Sequence, residues 1–82
     1  MARRSRPVSW KQMVSVFERL GFRVHRTKGD HIIMVKPGVH RPVVVPKYKA
    51  IGSDIILANC RTAGISKAEF MDMVEGRDIG LI

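Results

Sequence analysis

The chain has 82 residues, enough for one small domain that buries only about 60% of the surface its unfolded form exposes. Its 45% hydrophobic and 27% charged residues suit a folded globular protein. A single cysteine excludes an internal disulfide, and no apolar run approaches the roughly 20 residues of a membrane-spanning helix. The formal net charge is +8, and residues 1–50 hold 12 of the 15 Lys and Arg but 2 of the 7 acids. Such an excess favours a polyanionic partner, nucleic acid first.

Residues 1–8 read as a flexible basic arm. Ser9 opens "SWKQ", a capping box with Gln12. Trp10, Met13, Val14, Phe17 and Leu20 then recur at helical spacing, and Gly21 can stop the helix in a left-handed conformation. A first helix is therefore expected over about 9–20. "FRVHRT" alternates, with Phe22 and Val24 on one face and Arg23 and His25 on the other, as in a half-buried strand. Lys28, Gly29 and Asp30 form a turn. "HIIMVK" is a second strand, apolar on both faces, as a central or covered strand would be. After the turn "PGVHR", "PVVVP" is a short third strand whose prolines suit strand ends or an edge.

A second helix is expected from Ser53 or Asp54 to Ala63, with Ile56, Cys60 and Ala63 as its buried stripe and Gly64 as its stop. "SKAEF" is another capping box, Ser66 with Glu69, opening a short last helix through about Val74. The fold class is α+β, with the order α-β-β-β-α of a double-stranded-RNA-binding domain. The simplest architecture is a three-stranded antiparallel sheet with the helices on one face, plus a short C-terminal helix. The other sheet face is left open. The domain occupies 9–75 and a tail 76–82. The basic N-terminus is followed by no long apolar segment, so a secretory signal is not expected. The expected location is the cytoplasm, with no membrane partner.

His31 stands at the foot of the most apolar run, after a glycine turn. An imidazole titrates near neutral pH and suits proton transfer; equally, such a residue serves as a strand-end histidine with a structural hydrogen bond. Arg26 and Lys28 precede it, and Lys47, Tyr48 and Lys49 follow the third strand. Asp30 has three readings: a turn residue, a carboxylate that orients the His31 ring and favours its charged form, or a charge that repels RNA. His25 reads as a polar-face residue and His40 as a loop residue. Trp10 suits helix-start packing better than base stacking, and Cys60 suits burial. There is no Gly-rich phosphate loop, Ser-His-Asp order or acidic metal cluster. A metal-dependent nuclease is disfavoured and no cofactor is expected.

Taken together, "LGFRVHRTKGDHIIMVKP", "VVVP" and "RTAGISKAEF" resemble the HicA (YcfA-like) toxin family of bacterial toxin–antitoxin systems. Gly21–Phe22 matches the glycine–aromatic pair that ends the first helix. Gly29, Asp30 and His31 occupy the family's Gly-Ser-His positions. Val45–Pro46 closes the third strand, and Ala63 to Ser66 precedes Glu69–Phe70. The match spans about residues 9–75. Asp30 replaces the usual serine, and Asn59 and Cys60 stand where bulky aliphatics are more usual.

The resemblance implies a metal-independent, ribosome-independent endoribonuclease that cleaves mRNA (an mRNA interferase), with His31 as its catalytic residue. Arg26, Lys28, Gly29, Lys47 and Lys49 then become the expected RNA contacts. A HicB-like antitoxin is the implied protein partner. Its expected docking strip is Ile32, Ile33, Met34 and Val35, and a homodimer through the same face is a further arrangement. Two other functions fit the residues: an RNA-binding module without cleavage, and a basic protein-interaction subunit.

Overall fold

The computed structural model describes residues 7–76. Helix α1 spans Trp10–Arg19, strands β1, β2 and β3 span Arg23–Lys28, His31–Val35 and Val43–Pro46, and helices α2 and α3 span Ser53–Ala63 and Lys67–Val74. Both predicted capping boxes form. The Gln12 N–H donates to Ser9 Oγ at 3.2 Å and the Ser9 N–H to Gln12 Oε1 at 3.0 Å. The Glu69 N–H donates to Ser66 Oγ at 3.0 Å and the Ser66 N–H to Glu69 Oε1 at 2.8 Å. Each box satisfies backbone donors that a helix start otherwise leaves unpaired. Gly64, with φ of 78°, ends α2 in the left-handed region that glycine enters without steric cost.

The strands form an antiparallel meander in the order β1-β2-β3. Ile32 and Met34 on β2 and Val43 and Val45 on β3 are buried, against Met13, Val16 and Phe17 of α1, Ile56 and Cys60 of α2, and Phe70 of α3. Phe17 is the hub, with ring centroids 5.5 Å from Phe22 and 5.8 Å from Phe70. Side chains of directly opposed residues in an antiparallel pair share a face. The register Lys28↔His31, Arg26↔Ile33 and Arg23↔Val35, with His31↔Pro46 and Ile33↔Val44, therefore puts these residues on the face away from the helices. Ile33, Val35 and Val44 are outside the core cluster, as this predicts. The α+β class and the strand order match the expectation, and among the described residues no helix covers the second sheet face.

The structure corrects the sequence reading at five points. Val24, expected inside with Phe22, is 46% exposed. The register slips between Val24 and Arg26, leaving His25 as an extra residue in a β-bulge. The edge strand β1 carries no closely packed helix, and all six of its residues are exposed. In α2 the buried set is Ile56, Asn59 and Cys60, with Ala63 half-buried, because Asn59 turns toward the β3 edge. In α1, Val16 joins Met13 and Phe17 in the core while Val14 and Leu20 pack at its margin. Val8, assigned to the arm, is 2% exposed; it forms an isolated bridge with Ile51, whose N–H donates to the Val8 carbonyl at 2.8 Å. Finally, Ile32 and Met34 are core residues, so a docking partner cannot reach them. Residues 1–6 of the expected arm, and the tail beyond Gly76, lie outside the described residues.

Candidate functional site

The β1–β2 hairpin closes through a two-residue loop, Gly29 and Asp30, between the opposed Lys28 and His31. Gly29 has φ of 60°, and a positive φ at the first position of so short a loop suits the twist of the flanking strands. Asp30 is then tied down twice. Its carbonyl accepts from the Lys47 N–H at 2.8 Å, fastening the loop to the end of β3. Its side-chain Oδ1 lies 2.8 Å from Nδ1 of His31. With Nδ1 beside the carboxylate, Nε2 is the other ring nitrogen available to a ligand. The His31 side chain is 45% exposed and that of Asp30 66% exposed, so a polymer can reach the pair.

Three cations border this end of the sheet. Lys28 faces His31 across the β1–β2 ladder, and Arg26 follows on the same face beside Ile33. Lys47 comes directly after β3, and its Nζ stands 5.6 Å from the ring centroid of Trp10, with Lys11 Nζ at the same distance. A cation–π contact holds an ammonium in place while leaving its charge available. Trp10 is thus half-buried against the core and positions Lys47. Lys49 is exposed in the loop that leads to α2, two residues further from the hairpin. Among the predicted contacts, the fold gathers Arg26, Lys28, Gly29, Asp30 and His31 at the hairpin; the Lys47 backbone joins them through its bond to Asp30 while its ammonium stands over Trp10 of α1, and Lys49 lies two residues further on.

On its other side His31 opens into a groove of about 360 Å³, walled by Val44, Pro46, Tyr48 and, from α2, Asp54, Ile55, Ala58 and Asn59. Tyr48 is aimed there by a tight turn: its N–H donates to the Pro46 carbonyl at 2.7 Å, and its own carbonyl accepts from the Trp10 N–H at 3.1 Å. Asn59 closes the back. Its Nδ2 donates to the Val44 carbonyl at 2.9 Å and its Oδ1 accepts from the Val44 N–H at 3.4 Å, so one amide pairs the β3 edge as a fourth strand would. Sequence reasoning missed Asp54 and Asn59 as site residues. The aromatic between two lysines in "KYK" was the visible signal for Tyr48; nothing local marks the other two.

The remaining histidines are elsewhere. His25 in the bulge lies three residues from Lys28, roughly 10 Å along β1, and lines a separate groove of about 630 Å³ with Arg23, Val35 and Lys36. His40 is exposed in the β2–β3 connection, at the end of the sheet opposite His31. Among the described residues no group of three His, Cys, Asp or Glu could hold a metal, and no helix is long and apolar enough to cross a membrane.

A family model described as the HicA toxin of bacterial toxin–antitoxin systems matches residues 10–65, which takes in α1, the whole sheet, the His31 hairpin and α2. The chain belongs to the HicA toxin family. It is therefore the toxin component of a bacterial toxin–antitoxin system, whose protein partner is an antitoxin. The comparisons with curated proteins and with solved structures found no match. Within this HicA-family chain the matched segment holds every residue of the His31 groove and both strands that flank His31.

Proposed function

We propose that this toxin is an endoribonuclease that cuts mRNA by attack of a ribose 2′-oxygen on the adjacent phosphorus, with His31 as the catalytic residue. The observation that carries this is the Asp30–His31 pair at 2.8 Å at the basic end of the sheet. Asp30 fixes the ring and its tautomer. Nε2 takes the proton of the 2′-hydroxyl as the O2′–P bond forms and the P–O5′ bond breaks. The leaving oxygen is protonated by the imidazolium so formed or by water. Lys28, opposed to His31 across the ladder, faces the phosphate, where charge accumulates in the transition state, and Lys47 adds positive charge at the same end of the sheet. The products are a 2′,3′-cyclic phosphate, or the 3′-phosphate from its hydrolysis, and a 5′-hydroxyl. No step needs a metal ion.

A HicB-like antitoxin with an acidic surface would silence such an enzyme by lying over the open face, where Ile33, Val35 and Val44 sit among Arg23, Arg26 and Lys28. Apolar side chains rimmed by cations suit a partner better than water. A homodimer over the same apolar strip would instead bring two sets of cations together.

The test is His31→Ala. The parent should cleave single-stranded RNA in the presence of a chelator, and the variant should lose cleavage by about 10²-fold or more while keeping most of its RNA affinity. Replacing the scissile ribose by 2′-deoxyribose should abolish cutting. A variant as active as the parent would remove His31 from the mechanism. RNA binding without cleavage by the parent would favour the second reading, a binding module in which the exposed charge of Asp30 marks lost activity.

A further inference from the structure

The groove beside His31 carries an acidic side chain, Asp54, in addition to the Asp30 carboxylate that touches the imidazole. Asp54 lines it together with Tyr48, a residue 44% exposed, and the apolar side chains of Val44, Pro46 and Ile55. A carboxylate there repels phosphate, so the groove is not a continuation of the backbone track formed by Arg26, Lys28 and Lys47. Its volume of about 360 Å³ is that of a small ligand site, roughly 300–1,000 Å³. An apolar slot with an aromatic wall and one acceptor suits a planar base whose edge offers hydrogen-bond donors.

Gly52 supplies a second observation. It is the N-cap of α2 and makes no side-chain capping bond, at a position where Ser, Thr, Asp or Asn normally provides one. Its φ of −72° is open to any residue, so backbone conformation does not demand glycine. A Cβ there would lie 2.9 Å from Oδ1 of Asp54. That oxygen ends a flexible side chain on the first turn of α2, so a side chain at Gly52 would turn it and change the wall it gives the groove.

We propose that the groove is a nucleobase subsite: Tyr48 stacks on the base of the nucleotide whose 2′-oxygen reacts, and Asp54 reads its Watson–Crick edge, preferring guanine and disfavouring uracil. The proposal rests on the RNA-cleaving role of His31. The 2′-hydroxyl must meet Nε2 of His31, and C2′ is bonded to the carbon that bears the base. The base of that nucleotide therefore falls beside the imidazole, and His31 is itself a wall of the groove. Guanine presents N1–H and N2–H side by side to the two oxygens of a carboxylate. Uracil presents one N–H flanked by two carbonyl oxygens, which the carboxylate repels. Stacking on Tyr48 is indifferent to base identity, so selection falls to Asp54.

The experiment uses the full chain and oligonucleotides that carry one ribose in a deoxyribose strand, with the base on that ribose set to G, A, C or U. The expected kcat/KM is highest for G and lowest for U, with a ratio of about tenfold to a hundredfold. Asp54→Asn offers one acceptor and one donor and should collapse the G-to-U ratio toward one. Asp54→Ser removes the carboxylate without touching the Gly52 cap and should do the same, with an unchanged circular dichroism spectrum separating base reading from loss of the helix. Tyr48→Phe should keep the pattern, and Tyr48→Ala should slow all four substrates by a similar factor, about tenfold. Equal rates on all four bases in the parent, or an unchanged ratio in both Asp54 variants, would overturn the subsite while leaving the His31 assignment standing. Failure of the parent to cut any of the four would remove the cleavage reading and the subsite with it.

Discussion

Asp30 Oδ1 and His31 Nδ1 lie 2.8 Å apart, on neighbouring residues of one hairpin whose loop is fastened to β3 through the Lys47 N–H. The loop backbone is anchored to β3 and both side chains are open to solvent, and the proposed proton transfer on a polymer depends on both.

Variants of Asp30 separate its three roles. In Asp30→Ala the ring loses its orienting acceptor, and kcat should fall by about tenfold, a part of the 10²–10⁴ that general base catalysis supplies, with KM little changed. Asp30→Ser restores an oxygen that can accept from Nδ1–H and should recover most of that loss. A rise in cleavage for both variants, seen mainly as a lower KM, would mean that the carboxylate acts by repelling RNA. Equal rates for all three proteins would leave Asp30 as a turn residue alone.

The cations at this end of the sheet should act through phosphate. Alanine at Arg26, Lys28 or Lys47 should weaken binding to unrelated RNA sequences about equally. Each should also flatten the dependence of log affinity on log salt by roughly 0.7 to 1. Lys49, further along the loop, should contribute least. Titrating the combined Arg26, Lys28, Lys47 and Lys49 variant against RNA at several salt concentrations checks this. Affinity equal to the parent's would place the RNA on another surface.

Docking of the antitoxin should depend on outward-facing β2 residues and not on its core residues. Ile33→Glu places a charge on the open face, outside the core cluster. The toxin should therefore stay folded by circular dichroism while antitoxin affinity falls by about tenfold or more, as expected for a residue at the centre of an interface. Tight binding of the variant would move the antitoxin to another face.

Asn59 should be worth more to the fold than its polarity suggests. Asn59→Leu removes both bonds to Val44 and leaves the β3 backbone facing an apolar side chain, a loss of roughly 1–3 kcal/mol. Asn59→Asp keeps the shape, but its carboxylate cannot donate to the Val44 carbonyl, and it should cost at least as much at neutral pH. Urea denaturation midpoints check both. A midpoint unchanged in Asn59→Leu would show that the β3 edge needs no partner.

Burial pushes the Cys60 thiol up from 9.0 to about 11, with Lys67 acting against the rise and Glu69 adding to it. The unfolded chain then releases this proton at a lower pH than the folded one. Between about pH 9 and 11 the folded state binds more protons, so stability falls as pH rises through that window, by up to roughly 1.4 kcal/mol per pH unit. Below pH 9 the group contributes no slope. Cys60→Ala should lose this part of the alkaline decline. A thiol reagent at pH 7.5 should label the native chain far more slowly than the urea-unfolded chain. Fast labelling of the native chain would mean that Cys60 is not held in the core.

Local signals carried most of the element boundaries. Ser9 with Gln12 and Ser66 with Glu69 mark helix starts, and Gly29 marks the hairpin loop, because capping and positive φ depend on residues within one turn of each other. The same locality made the KGDH hairpin legible as a candidate site: the ring, its carboxylate and its nearest cation lie within four residues. Other features depend on which elements meet in space. Val24 reads as a core residue by alternation, yet it is exposed by a bulge and an edge position that only strand pairing creates. Asn59 looks like an ill-fitting polar residue in a buried stripe until the β3 edge supplies its partner 15 residues away. Asp54 comes to His31 because α2 packs beside β3, and Tyr48 because a tight turn after Pro46 directs it there. Local pattern placed the helices, the strands and the KGDH turn; the packing of α2 against the sheet settled which residues share a groove with the imidazole, since long-range contacts arise from burial of the whole core and leave no short-range pattern.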